Sequence, residues 1–326
     1  MSNIEVGLIA IPVLIALIFL RMPIGLAMLV CGLGGTAYLL GDWNVVLAKM
    51  KTETFSTFSN YSLSIVPLFL LMGQFETLGG MSQSLFRAAE AWLGHRRGGV
   101  AMAAVGASAG FGSICGSSLA TAATMGQVAL PELKRSGYSG GLANATLAAG
   151  GTLGILIPPS IVLVIYAIIA EQNIAKLFLA ALVPGLLAAL GYMLVISAYV
   201  RFSPGSEKLH AKINYADRFK ALAAIWPVLT IFVLVVGGIY FGWFTPTEAA
   251  AIGATSTGIV ALFSGKATRQ DFVDALLETA SNTAMIFLII LGAAYFNGFL
   301  ALTLLPQETS TYIAGQGFSP WLVLAI

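Results

Sequence analysis

Two uncharged stretches constrain this chain more than any other feature. No Asp, Glu, Lys or Arg occurs between Arg97 and Glu132, or between Arg135 and Glu171, so runs 98–131 and 136–170 hold 34 and 35 residues. As one straight helix, each would be roughly 50 Å long, against a bilayer hydrocarbon core of roughly 30 Å. Each run must therefore break, fold back or extend into the interface. Both carry breakers: Ala109-Gly-Phe-Gly-Ser-Ile-Cys-Gly-Ser-Ser118 in the first, Gly150-Gly-Thr-Leu-Gly-Ile-Leu-Ile-Pro-Pro-Ser160 in the second. Pro158 and Pro159 have no backbone N–H, and adjacent prolines stop a helix. Broken backbone at membrane depth persists only where it is buried in protein or lines a cavity.

Composition places these runs in a membrane. Hydrophobic residues make up 58% and charged residues 9% of the 326, against roughly 25% charged in soluble proteins. A water-soluble globule and a disordered chain are excluded, and a net charge of +2 leaves no dense basic surface for nucleic acid. The first apolar run, Val6 to Leu20, has no basic n-region and no small-residue cleavage site before Arg21, so it is read as a retained helix. Cys31 and Cys115 lie in apolar runs and are read as buried thiols rather than a disulfide.

Segment 64–92 has another character. Ser64-Ile-Val-Pro-Leu-Phe-Leu-Leu-Met-Gly73 is too short to cross, Gly79-Gly80 makes a turn, and an amphipathic return runs to Trp92. This predicts a re-entrant hairpin, with Glu76 and Gly79 near its tip. Segment 283–313 reads the same way, with a tip at Asn297 and Gly298 and a return through Leu304-Leu305-Pro306. Residues 201–220 form the one long polar stretch, basic through Arg201, Lys208, Lys212, Arg218 and Lys220. It is read as a linker, placed in the cytoplasm by the positive-inside rule. Five crossings before it put the N-terminus on the other side.

The two sides of that linker echo each other. Pro23 and Pro246 each open a helix, and Phe69-Leu-Leu-Met-Gly73 resembles Phe287-Leu-Ile-Ile-Leu-Gly292. A charged amphipathic stretch precedes each hairpin, Asn44–Thr54 in one half and Lys266–Glu278 in the other. Residues 1–200 are thus expected to be one repeat and 221–326 an incomplete second, inverted by the odd number of crossings. A counterpart of Pro159 would fall near residue 382 on this register, beyond Ile326, so the chain is expected to be C-terminally truncated and inactive without the remainder.

Chemistry concentrates at the two breaks. Around Gly112 and Gly116, Ser113, Ser117, Ser118 and Thr121 offer hydroxyls, and unwound backbone offers carbonyls. Neutral oxygens of this kind suit a hard monovalent cation such as Na⁺. The competing reading is close helix packing through the Gly112/Gly116 pair. At the second break, Gly154, Pro158, Pro159 and Ser160 would expose backbone to substrate or ion, or make a simple kink. No Lys follows the glycines, so neither segment is a phosphate loop. Thr245-Pro-Thr-Glu248 reads as a capping box with Pro246 at the first helical position. His95 and His210 lie among basic residues, are read as solvated, and lack metal-ligand spacing. No set of nucleophile, base and orienting group is present, so an enzyme is not expected.

Several of these motifs are familiar in combination. Val66-Pro-Leu-Phe-Leu-Leu-Met-Gly, Gly112-Ser-Ile-Cys-Gly-Ser-Ser-Leu-Ala, Gly154-Ile-Leu-Ile-Pro-Pro-Ser-Ile, Leu182-Val-Pro-Gly-Leu and Thr245-Pro-Thr-Glu-Ala-Ala-Ala resemble the DctM-like large membrane subunit of TRAP (tripartite ATP-independent periplasmic) transporters. The resemblance implies a Na⁺-driven elevator carrier for an organic acid in a bacterial inner membrane, with its N-terminus periplasmic. It also implies a small four-helix membrane subunit, a periplasmic solute-binding protein and no cofactor besides Na⁺. It places one Na⁺ site at Ser117–Ser118 and the adjoining Gly154–Pro159 break, within a moving domain that includes the hairpin tips. Two departures stand out: Leu119-Ala-Thr121 is neutral where many relatives carry an acidic residue, and the second Thr-Pro-Pro-type break is absent. The alternatives are a single-component dicarboxylate or citrate carrier, which would need no binding protein, and a non-transporting scaffold.

Overall fold

The computed structural model describes residues 2–202 and 212–325, and every regular element among them is helical. The first ten helices are α1 (Asn3–Phe19), α2 (Ile24–Leu40), α3 (Trp43–Phe58), α4 (Ile65–Leu78), α5 (Met81–Leu93), α6 (Gly99–Cys115), α7 (Ser118–Arg135), α8 (Gly140–Leu156), α9 (Ile161–Ile169) and α10 (Ile174–Phe202). After the linker come α11 (Tyr215–Ala223), α12 (Trp226–Phe232), α13 (Gly238–Tyr240), α14 (Pro246–Phe263), α15 (Arg269–Thr303), α16 (Leu305–Gly315) and α17 (Pro320–Ala325). A 3₁₀ turn, Tyr61–Ser64, leads into α4, and a π-helical turn, Val233–Gly237, joins α12 to α13.

Among the described residues, three helical stretches are long and apolar enough to cross a bilayer: Tyr61–Leu78, α10 and α15. Two bent pairs, α8 with α9 (43°) and α11 with Trp226–Tyr240 (48°), each qualify as one broken span. Segment 64–73 is therefore part of a longer helix than its sequence suggested, because the 3₁₀ turn extends it at one end and Gln74–Leu78 at the other. Apolar side chains along α10, from Leu179 through Val183, Leu186, Leu187, Leu190 and Leu194, face outward. That suits lipid, not water.

The chain divides into two compact units, each drawing elements from both sides of the linker: Met1–Tyr61 with Thr283–Ile326, and Ser62–Asn282. In the first unit, Cys31, Phe296 and Phe299 form a core with Val6, Leu14, Met28 and Leu300. Here α2 and α15 touch backbone to backbone. A Cβ on Gly25 would stand 2.7 Å from the Leu288 carbonyl carbon, one on Gly32 2.7 Å from that of Tyr295, and one on Gly292 would strike the Gly25 oxygen. The Tyr295 hydroxyl donates to the Met50 carbonyl (2.6 Å) and lies 3.0 Å from Thr54 Oγ1, tying α15 to α3. In the second unit α14 packs along α4, with Gly253 making room for Met72 and Gly258 for Phe75.

A constant spacing relates the two sides of the linker. Left-handed residues close α2 at Gly41 and end the turn after α14 at Gly265, and others stand at Gly80 and Leu304. Both pairs are 224 residues apart. Gly35 makes room for Phe299 as Gly258 does for Phe75. The second hairpin therefore turns at Leu304 and not at Asn297–Gly298, which lie inside α15. Gly298 faces Lys49, whose Nζ would stand 2.6 Å from a Cβ there but is the far end of a flexible side chain that can move aside. The first turn is at Gly79–Gly80 as expected. Cys31 and Cys115 are free and buried, and the Thr245/Glu248 capping box forms with Pro246 at the first helical position.

The end of the linker is docked, not merely solvated. Buried Arg218 of α11 donates to the Ile213 carbonyl (3.1 Å), places Nη2 3.3 Å from His95 Nδ1, and stacks over Trp92 and Tyr215. His95 is thus a partner of Arg218 and not simply a solvated loop residue, whereas Lys208 and His210 lie outside the described residues.

Two outcomes follow from these contacts. Gly292→Val forces α15 away from α2 and costs about 1–3 kcal/mol, read as a lower thermal midpoint in detergent, whereas Tyr295→Phe costs about 1 kcal/mol. Desolvation first, then the charges of Arg218, Arg96 and Lys212, hold His95 below its ordinary 6.5. A lowered imidazole value means that the grip on α11 is complete above pH 6.5 and is lost as pH falls below it. Amide exchange across Tyr215–Ala223 should accelerate in that acid range, and His95→Gln should remove the step.

Candidate functional site

Both long uncharged runs break where their sequences place the breakers. Helix α6 ends at Cys115, Gly116 adopts φ +65° and so caps the helix in the left-handed region that glycine tolerates, and Ser117 caps α7. Helix α8 ends at Leu156, Ile157 and Ser160 are extended with a bend between them, and Ser160 caps α9. The Pro158–Pro159 peptide is cis.

The two breaks meet. The first amide of α9, Ile161 N–H, donates to the Gly116 carbonyl across the junction (3.2 Å). Small residues let the backbones approach: a Cβ on Gly112 would lie 2.5 Å from Gly154 Cα, and one on Gly154 2.5 Å from Thr121 Oγ1 and 2.9 Å from the Ser117 oxygen. A Cβ on Gly116 would stand 2.9 Å from the Pro159 oxygen. Close packing and the break are therefore one arrangement: the Gly112/Gly116 pair serves contact and unwinding together. Gly150 and Gly151 share the task, against Ser108 and Ala122. Their spacing from Gly154 puts them on the same helix face.

The arrangement also fixes the local fields. Two helix N-termini, of α7 and α9, carry partial positive charge, while the C-terminal ends of α6 and α8 present carbonyls without a following helical amide. Hydroxyls line the junction in one orientation. Ser113 Oγ donates to the Gly110 carbonyl (2.7 Å), Thr121 Oγ1 to that of Ser117 (2.7 Å), and Ser160 Oγ to that of Ile155 (2.8 Å). A hydroxyl that has donated its proton to the backbone keeps its lone pairs for another partner. Ser117 Oγ accepts from Ala120 N–H (3.4 Å), and Ser118 Oγ makes no hydrogen bond. Thr121 and Ser160 are fully buried, and Ser117 and Ser118 partly so.

Of the expected hairpin-tip residues, Gly79 lies at its turn. Glu76 does not stand at a wet tip: it sits within α4 with none of its surface exposed, because α4 packs against α6, α9 and α14. Among the described residues, no cluster of three or more His, Cys, Asp or Glu could hold a metal ion.

Gly112→Ala should push the two breaks apart at a cost of about 1–3 kcal/mol, since backbone and not a flexible side chain stands opposite. Gly126→Ala in α7, where no atom lies within 4 Å, should be neutral or stabilising by up to about 1 kcal/mol. Thermal midpoints of the two purified variants test the contrast.

Comparison with known proteins places this arrangement in a family. The model of the tripartite ATP-independent periplasmic transporter, DctM component, matches residues 11–326. The C4-dicarboxylate TRAP transporter large permease protein DctM of Pseudomonas aeruginosa is 40% identical over 298 residues, covering 90% of this chain and 69% of that protein. Its counterpart from Rhodobacter capsulatus is 33% identical, covering 98% and 75%. The sialic acid TRAP transporter large permease protein SiaM of Vibrio cholerae is 31% identical, covering 96% and 72%. These relatives are transport permeases, and with its apolar helices the chain is a multi-pass membrane protein. It belongs to the DctM component family of tripartite ATP-independent periplasmic transporters.

Proposed function

We propose that this chain is the large permease of a Na⁺-coupled, binding-protein-dependent carrier that imports a carboxylate-bearing organic acid across a bacterial inner membrane. The observation that carries the reading is the junction of the two broken helices, closed by the Ile161 N–H bond to the Gly116 carbonyl. One junction offers both kinds of group a carrier of an anion with a cation needs. Helix N-termini suit the carboxylate, and carbonyl and hydroxyl oxygens suit Na⁺.

The residues present fit a small hard cation. Ser113 and Thr121 donate their protons to backbone carbonyls and so keep acceptor capacity, and partly buried Ser118 adds a further hydroxyl at the start of α7. These groups, with the terminal carbonyls of α6 and of 157–159, would hold Na⁺, and the bound ion would supply the charge that balances a carboxylate in a dry site. In this reading the unit carrying α4–α9 slides as an elevator. A small four-helix membrane subunit and a periplasmic binding protein are its partners, and the N-terminus is periplasmic. Relatives named for C4-dicarboxylates and for sialic acid support a carboxylate as the shared feature of the cargo.

A single-component carrier of similar build is separated from this reading by one requirement, since it would work without a binding protein. The sharper test is Ser118→Ala in the assembled transporter reconstituted into vesicles. Loss of a hydroxyl ligand to a charged partner is worth about 1.5–3 kcal/mol, so the Na⁺ concentration for half-maximal uptake should rise about tenfold or more. An unchanged Na⁺ dependence sinks the assignment of the ion to this break.

A further inference from the structure

Glu76 is a charge-bearing group that the proposed function leaves unused. It lies in α4 with no exposed surface, and neither carboxylate oxygen has a hydrogen-bond partner. It follows Gly73 by one turn on the same face. A Cβ on Gly73 would stand only 2.8 Å from Cys115 Sγ and 3.2 Å from Cys115 Cα, so this face of α4 abuts the end of α6, immediately before the break at Gly116.

A bare carboxylate without water, a hydrogen bond or a counter-ion is among the costliest groups a protein can bury. Within a membrane such a group takes up a neutralising partner. Sodium does not fit. A hard cation needs several oxygens, while one turn back on this face stand only Met72 and Gly73, and it is the Cys115 thiol that faces Gly73. A basic side chain does not fit either. Of the elements packed on α4, α9 brings only Tyr166, which is exposed, and α14 only Glu248, at its capped first turn. Helix α5 brings Arg87 and Glu90, both beyond the turn, Lys266 stands against Gly80 at the turn itself, and α6 brings Cys115, while α15, whose Phe272 packs on Phe75, brings Arg269, Asp274 and Glu278, all exposed, and Asp271, which accepts from Thr268 N–H. A proton satisfies the group without adding volume or ligands.

We propose that Glu76 is a proton-binding site of the carrier. In the packed arrangement the carboxyl holds its proton. When the contact between α4 and the end of α6 opens to water, a carboxyl oxygen releases that proton to water and later regains one from it, so no other reactant is consumed. The protonated form belongs to the packed arrangement, so that arrangement is favoured at low pH and lost as pH rises. This deepens the reading of the chain as a carrier, but the spectroscopic test below does not depend on transport.

The experiment uses the assembled transporter in vesicles. Infrared difference spectra between acid and alkaline buffer should show a protonated-carboxyl stretching band. Glu76→Gln should remove that band, and Glu76→Asp, which keeps the titratable group, should shift it. Uptake measured across the same pH range should fall as pH rises, by up to about tenfold per unit, and Glu76→Gln should flatten the fall. A band untouched by both substitutions overturns the site. A band lost in Glu76→Gln with an unchanged uptake profile overturns proton exchange during transport. If no uptake occurs under any condition, the carrier reading fails, while the infrared arm still decides whether Glu76 holds a proton.

Discussion

The second unit depends on one rule: in hydrocarbon no backbone amide or carbonyl is left bare. Two helices broken inside long apolar runs violate that rule singly and satisfy it together. The Gly116 carbonyl, freed where α6 stops, accepts the first amide of α9, freed where α8 stops. Ser117 and Ser160 cap the restarted helices with their own oxygens. Neither break would be tolerable without the other, which is why Gly112, Gly151 and Gly154 are small: any side chain there would hold the two apart. Packing, hydrogen bonding and a potential ligand surface are three aspects of one junction.

The first unit meets the same demand for close approach without breaking a helix. Gly25, Gly32 and Gly292 bring α2 against α15 as Gly253 and Gly258 bring α14 against α4. In each case a helix opened by proline lies along one that leads to a left-handed turn, at Leu304 or at Gly80. The recurrence is a matter of backbone and not of side-chain identity. A glycine occupies one left-handed turn position and a leucine the other, where the conformation costs roughly 1–2 kcal/mol. The two sides differ where they meet α4 and α15. The chain pauses at Ser59–Asn60 before the 3₁₀ turn into α4 but runs unbroken through α15.

What was legible in the sequence followed from backbone chemistry. Pro158, Pro159 and the Gly116-Ser117 pair fix where helices stop, and Thr245 and Glu248 fix where one starts, because these residues act on their own neighbours. Asn297-Gly298 misled for the complementary reason: without a positive φ the pair simply continues helix α15, alongside Lys49, a neighbour distant in sequence. Leu304, a residue with no turn signature, makes the turn instead. Glu76 reads as polar and therefore wet, and Arg218 as one more charge in a basic linker, yet both are buried. Burial of a long side chain is decided by what packs over it, here α6 and α14 for Glu76 and the Trp92–His95 end of α5 for Arg218. No local pattern announces that.

The contrast between the junction and Glu76 bears on how a carrier of this kind would release what it binds. A full carboxylate at the proposed Na⁺ position would hold the ion strongly and, once the ion left, would remain as an unpaired charge in a dry site. Neutral oxygens hold it less strongly, and their emptied state is an ordinary set of serine and threonine hydroxyls bonded to backbone. Conduction and carriage both require binding favourable enough to load and weak enough to unload. A carboxyl that holds a proton is neutral as well. On the proposed reading, an ion site built from dipoles and a buried acid of α4 carrying its own proton would leave the loaded and the emptied unit little different in charge from the lipid-compatible packing around them. That near-neutrality is the electrostatic condition for moving such a unit through a bilayer in both directions.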